Sequence, residues 1–228
     1  MKLLNSDKIN GFTLSEVLIT LGIIGVVAAI TIPALMNNAQ KKDDFAKLQK
    51  AYSTITGISS TIRNNNGGEF TGLAASHPEL LNLFKPYMNV IKICQNLAES
   101  PNCYLGNTDD VYNLQGGIMG DISPYYFRGE AKLVTADGMM YNFEFLNSNC
   151  AGSNYSRNGT PENCGGVMVD INGAKPPNTV GKDIFFIQIN KYNTTLPSTW
   201  PCDKSNTNAW NGVNCSQRAI KEGGIFYY

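Results

Sequence analysis

The chain has 228 residues, enough for one domain with an extended N-terminal element. Eighteen Lys+Arg balance eighteen Asp+Glu, so no global basic field gathers nucleic acid or anionic lipid; the single histidine, His77, excludes a multi-histidine metal site and a two-histidine proton relay. Only 16% of residues are charged while 27 are asparagine, which describes a surface built of neutral polar groups.

Residues 1–11, MKLLNSDKING, form a short leader carrying Lys2 and Lys8. Residues 12–36 follow as a run of 25 whose one ionisable side chain is Glu16. At about 1.5 Å per residue, a helix of that length spans the ~30 Å hydrocarbon core of a bilayer. Positive charge ahead of it places the N-terminus in the cytoplasm. A secretory signal would be cut after the apolar run, where Ala28, Ala29 and Ala34 are the small residues on offer, but this run exceeds a signal core and its helical pattern continues past it. A carboxylate inside a spanning helix costs roughly 2.5–3.5 kcal/mol on insertion scales. Either Glu16 lies at headgroup level, or the helix leaves lipid to pack against copies of itself. In the second case the carboxylate neutralises a cation, namely the amino group of a chain beginning at Phe12.

Gly11-Phe12-Thr13-Leu14-Ser15-Glu16, followed by an unbroken apolar run containing Pro33, resembles the N-terminal segment of type IV pilins and type II secretion pseudopilins. The likeness is close over residues 1–36 and loose beyond; Ser15 stands where common members carry leucine or isoleucine. It implies that a prepilin peptidase cuts between Gly11 and Phe12 and N-methylates Phe12. It also implies that Glu16 pairs with a neighbouring Phe12 amine, and that the helix around Pro33 takes part in assembly, with local melting before the proline. The implied partners are that peptidase, an inner-membrane assembly platform, and other copies or related subunits. The implied location is the bacterial inner membrane as a single-pass chain, then a periplasmic or cell-surface filament.

Residues 37–63 read as an amphipathic continuation of this spine, with Phe45, Leu48, Tyr52, Ile55 and Ile62 on one face. Lys41, Lys42, Asp43, Asp44, Lys47 and Lys50 are expected on the solvated face. Asn64–Asn66 and Gly67-Gly68 should end the helix. Gly22, Gly25, Pro33 and Gly57 interrupt it; glycine costs ~1 and proline ~3 kcal/mol in a helix interior, so the spine is expected to bend or loosen near Pro33. Gly22 and Gly25 read as sites of close helix packing.

Residues 64–228 form one head with 11 Lys+Arg against 14 Asp+Glu, an unfavourable balance for DNA binding by simple electrostatics. Ser76-His77-Pro78-Glu79 has the form of a capping box opening a short helix whose buried side is Leu80, Leu81, Phe84, Tyr87 and Met88, with His77 on its flank. Lys132–Thr135, a turn at Asp137-Gly138, and Met139–Leu146 predict a hairpin; Tyr141, Phe143 and Phe145 alternate with Asn142 and Glu144, as in a half-buried strand. Val167, Val169 and Ile171 alternate again, Ile184–Ile189 is a continuous apolar run, and the tail from Gly212 to Tyr228 reads as a last strand or edge. The expected class is α+β: a long helical spine packed on a small antiparallel sheet of four strands, the pilin architecture.

Six cysteines, at 94, 103, 150, 164, 202 and 215, all follow the apolar run; three disulfides are expected in an exported head. Of the possible pairings, Cys94–Cys103, Cys150–Cys164 and Cys202–Cys215 close the shortest loops. No Cys-x-x-Cys pair points to zinc. Asp170-Ile171-Asn172-Gly173, Pro177-Asn178 and Gly181-Lys182-Asp183 resemble a loop of pseudopilin-like heads. Oxygen side chains Asp170, Asn172 and Asp183 also look like part of a calcium loop, although Ala174 and the missing terminal glutamate break that pattern; otherwise Asp and Asn cap tight turns. The Asn-x-Ser/Thr sequons at Asn154, Asn158, Asn193 and Asn214 are chance in so asparagine-rich a head. Trp200 and Trp210 flank Cys202 and are expected to pack over the sheet edge, with a sugar or a neighbouring subunit as the alternatives.

No nucleophile–base pair, phosphate loop or metal cluster stands out, so the chain reads as a non-enzyme needing no cofactor. The function expected is a structural subunit of a type IV pilus-like or type II secretion pseudopilus filament; the alternative is a minor subunit acting as an adhesin or ligand-binding tip.

Overall fold

The structure, a computed structural model, describes residues 12–94, 111–119, 131–152, 162–173, 175–176 and 178–228. It divides into two compact units, Met1–Lys41 and Lys42–Tyr228. Helix α1 (Leu14–Asn65) runs without a break through Pro33 and all three interrupting glycines. The helix ends where expected, with Gly68 and Asn66 donating to the Arg63 carbonyl and Gly67 in the left-handed region at φ 81°.

Within the second unit, the buried stripe of α1 is Leu48, Ala51, Ile55, Ile58, Ser59 and Ile62, with Phe45 and Tyr52 packed at its margin. Asp44 departs from expectation: it is only 8% exposed. It stands one turn before Leu48 and therefore falls on the stripe rather than on the solvated face.

Helix α2 (His77–Phe84) begins at the capping box. Ser76 Oγ accepts from Glu79 N–H at 3.4 Å, and Glu79 Oε2 reaches back one residue further than usual, to Ala75 N–H at 2.9 Å. A turn of 3-10 helix, Lys85–Tyr87, follows. Leu80, Leu81 and Phe84 are buried against the sheet, and the Phe84 ring lies 5.1 Å from Phe143 and 6.2 Å from Phe70.

Among the described residues the sheet has six strands rather than four: β1 (Val90–Cys94), β2 (Lys132–Thr135), β3 (Met140–Phe145), β4 (Asn163–Asp170), β5 (Ile184–Asn190) and β6 (Thr194–Thr195), all antiparallel in sequence order. β1 was not anticipated because Val90-Ile91-Lys92-Ile93 is short and broken by a register shift between Val90 and Lys92. β6 has only two residues. The tail is a correction of a different kind. It forms helix α3 (Cys215–Glu222), ended by Gly223 at φ 69°, and only then runs on as irregular chain to Tyr228. Its SQRAIKE stretch holds good helix formers, and Ser216 Oγ donates to the Phe186 carbonyl at 2.9 Å, fixing the helix on β5.

Both faces of the sheet are covered. Leu133, Tyr141, Phe143, Val167, Val169, Phe185, Ile187 and Ile189 join the core with α1 and α2. On the other face Met140, Met168, Ile184 and Phe186 meet Val111, Met119, Val180 and Val213 in a second cluster. Strand β3 is therefore not half-buried: Asn142 and Glu144 are 3% and 6% exposed. Gly165 shows how closely the layers approach, since a Cβ there would collide with the Glu144 carbonyl and touch Leu80 Cδ2 at 3.1 Å.

Candidate assembly and processing site

Helix α1 opens on Thr13, whose carbonyl accepts from Val17 N–H and whose Oγ1 accepts from Glu16 N–H at 3.2 Å. Glu16 returns the interaction: its Oε2 accepts from Thr13 N–H at 2.8 Å and from Thr13 Oγ1 at 2.7 Å. This is a reciprocal capping box, so the one carboxylate of the apolar run sits at the helix N-terminus, where the dipole favours negative charge. The side chain faces outward on an exposed segment, beside Phe12, itself 87% exposed. Sequence reading found Glu16 but gave Thr13 no role; the Thr-x-x-Glu spacing was the signal available.

From Leu14 to Met36 the large apolar side chains all stand exposed, Ile30 and Leu35 at about 70%. Among the described residues this is the one helix long and apolar enough to cross a membrane. Gly22 and Gly25 have open space where a Cβ would be, so within a single chain neither is held by a close neighbour. Gly11 lies outside the described residues.

The family described as the prokaryotic N-terminal methylation motif matches residues 7–32, a span that covers the box and most of the apolar run. The chain carries a prepilin-type N-terminal segment. Type II secretion system core protein G of Escherichia coli (strain K12) is 40% identical over 57 residues, 25% of this chain and 37% of that protein. The protein of the same name from Aeromonas hydrophila is 38% identical over 53 residues, 23% of this chain and 34% of its own length. The chain thus spans about a third of the length of the curated relatives it matches. No solved structure matches it. The likeness ends with the prepilin-type segment and the helix it opens, and the pilin-like α+β head stands on the architecture alone.

In that head Cys150–Cys164 and Cys202–Cys215 are disulfides, with Cα atoms 3.8 and 5.0 Å apart. Cys94 is also disulfide-bonded, while Cys103 lies outside the described residues. Cys202–Cys215 closes the loop bearing Trp210, whose ring lies 5.5 Å from that of Trp200 just outside the loop; both pack against the second apolar cluster. Arg218 braces this corner, donating Nη1 to the Cys202 carbonyl at 2.6 Å and Nε to Glu222 at 2.7 Å.

The loop of Asp170, Asn172 and Asp183 is built of turns. Asp170 Oδ1 accepts from Asn172 N–H at 3.0 Å and Asp183 Oδ1 from Thr179 N–H at 2.6 Å, while the Asn172 amide nitrogen donates to Asp183 Oδ2 at 3.2 Å. Burial, with the Asp183 charge adding to it, pushes the Asp170 carboxyl up to about 8; burial pushes Asp183 to about 7. Among the described residues no group of three His, Cys, Asp or Glu side chains is placed to hold a metal. His77 has a structural use that the sequence did not disclose: its Nδ1 accepts from Phe145 N–H at 2.9 Å, joining α2 to the end of β3.

Proposed function

We propose that this protein is a structural subunit of a type IV pilus-like or type II secretion pseudopilus filament. A prepilin peptidase cuts between Gly11 and Phe12 and methylates the Phe12 amine. Until recruited by an assembly platform, the subunit stays in the inner membrane with a cytoplasmic N-terminus, and afterwards its head lies in the periplasm or at the cell surface. The observation that carries the reading is an exposed, continuous apolar run, 12–36, within α1, whose single carboxylate lies one turn from Phe12. Such a surface is stable in lipid or against equivalent helices and nowhere else.

During assembly Glu16 exchanges its internal partner Thr13 for the neighbouring subunit's Phe12 ammonium. An ion pair in a low-dielectric bundle replaces hydrogen bonds from neutral donors, which favours the exchange. The role needs no cofactor and no catalytic residue. Glu16→Ala should leave membrane insertion and processing intact while subunits fail to enter filaments. Normal filament yield from that variant would refute the pairing.

A further inference from the structure

In an asparagine-glycine step the backbone can attack its own side chain, because a glycine without Cβ leaves its nitrogen free to approach the preceding amide. The sequence has five such steps, of which Asn10-Gly11 and Asn158-Gly159 lie outside the described residues. The structure treats the other three differently. Asn211 is fully buried; its Nδ2 donates to the Asp203 and Asn206 carbonyls, both at 2.7 Å, and the Gly212 N–H donates to the Pro201 carbonyl at 2.9 Å. Asn172 is half-buried; its Nδ2 donates to Asp183 Oδ2 at 3.2 Å, and the Gly173 N–H faces the Asp170 carboxylate. Asn66-Gly67, by contrast, stands at the exposed end of α1.

We propose that Asn66 is a site of spontaneous deamidation, through a succinimide formed with the Gly67 backbone nitrogen. Asn66 N–H and Gly68 N–H both donate to the Arg63 carbonyl, at 2.9 and 2.8 Å, while the Gly67 N–H between them donates to no described residue. Gly67 sits at φ 81° with nothing within 4 Å of where a Cβ would be, so the turning side chain and water both have room there. Among the described residues, one bond restrains the Asn66 amide: Nδ2 donates to the Ile62 carbonyl at 2.8 Å. That bond lies in the last turn, where helices fray. The nucleophile is therefore unbound and the leaving group is held by one breakable contact. At Asn172 and Asn211 the amide is tied to the packed head and the following N–H is engaged.

Water is the only co-reactant. The Gly67 nitrogen loses its proton to water and adds to Cγ of Asn66, forming a C–N bond; Nδ2 gains a proton, the Cγ–Nδ2 bond breaks and ammonia leaves. Water then adds to one of the two ring carbonyls and breaks its bond to the Gly67 nitrogen. Opening at Cγ gives aspartate; opening at the main-chain carbonyl gives isoaspartate, with the chain rerouted through the side chain. No atom changes oxidation state. Both products lose the Nδ2 donor and bring negative charge to the negative end of the helix dipole, so the last turn of α1 loosens. The step does not reverse, and the fraction converted records the age of the molecule. The inference concerns the end of α1 alone and stands apart from the filament reading.

Ageing the full chain, purified in detergent, in heavy-oxygen water at mildly alkaline pH tests it by mass spectrometry. Tryptic cleavage at Arg63 releases a peptide beginning at Asn64, and fragmentation locates each new acid. Asn66 should convert to a mixture of aspartate and isoaspartate, each carrying one heavy oxygen. It should do so at least about tenfold faster than Asn172 and Asn211, since opening one or two more hydrogen bonds costs a factor of that order. In urea, which removes the folded restraints, the three rates should converge. Asn66 left intact in the folded chain while the urea-unfolded chain converts would overturn the proposal, and so would equal rates at the three sites in the folded chain. Asn66→Asp reproduces one product and should lower the melting midpoint; a midpoint equal to that of wild type would overturn the loosening of α1.

Discussion

Replacing both Cys202 and Cys215 with alanine removes the bridge across the tryptophan loop. The bridge spans a sequence separation of 13. In the chain-entropy account, a closed loop of about that size restricts the unfolded state by roughly 3 kcal/mol. Neither alanine adds a polar group to a buried site, and Cys215 is fully buried, so a small packing loss adds to the entropic one. Domains of about this size lose roughly 2–4 °C of melting midpoint per kcal/mol, which sets the expected fall at about 6–12 °C. The fall should come with a change in tryptophan emission, because Trp210 lies in the loop that the bridge closes and its ring sits 5.5 Å from that of Trp200. Circular dichroism and tryptophan fluorescence during thermal melting, on wild type and double variant side by side, read both quantities. A midpoint unchanged within about a degree would show that Arg218 and Ser216 hold this corner without help from the disulfide, and would refute the entropic argument.

Ionising Asp170 and Asp183 opposes folding, because each carboxyl is held above its ordinary value in the folded head. Their stabilising contribution is complete below about pH 4 and is lost as pH rises through about 7–8, so melting midpoints should fall between about pH 5 and about pH 8, and Asp170→Asn should flatten that slope. Calcium added to chelator-stripped protein should leave the midpoint unchanged, since Asp170 and Asp183 already receive backbone N–H groups; an upward shift abolished by Asp183→Asn would place a cation there. Ser76→Ala removes the side-chain cap of α2 and should cost about 1 kcal/mol by denaturant titration. Phe84→Ala empties a fully buried position between Phe70 and Phe143 and should cost about 3–5 kcal/mol in the same assay.

The elements legible in the sequence were those whose pattern is local. The apolar run with Glu16, the Ser76 cap, and the Asp137-Gly138 hairpin each carry their signal within a few residues. What the sequence hid depends on layers that meet only after folding. Tyr141, Phe143 and Phe145 alternating with Asn142 and Glu144 look like a strand with one wet face, yet a second apolar cluster covers that face. The tail carried apolar residues at both ends and helix formers between, and docking of Ser216 on β5 decides it as helix rather than strand. Asp44 was read by its charge rather than by its place one turn before Leu48. His77 flanks α2 as its capping-box position implies, but its bond to Phe145 spans 68 positions, a distance over which no local pattern speaks.

The most direct test of the filament reading is the mass of the N-terminal peptide of the chain isolated from the membrane and sheared-filament fractions of cells that have a prepilin peptidase. The account predicts a terminus at Phe12 carrying one methyl group. An intact Met1, or a terminus created within the apolar run near Ala29 or Ala34, would contradict it.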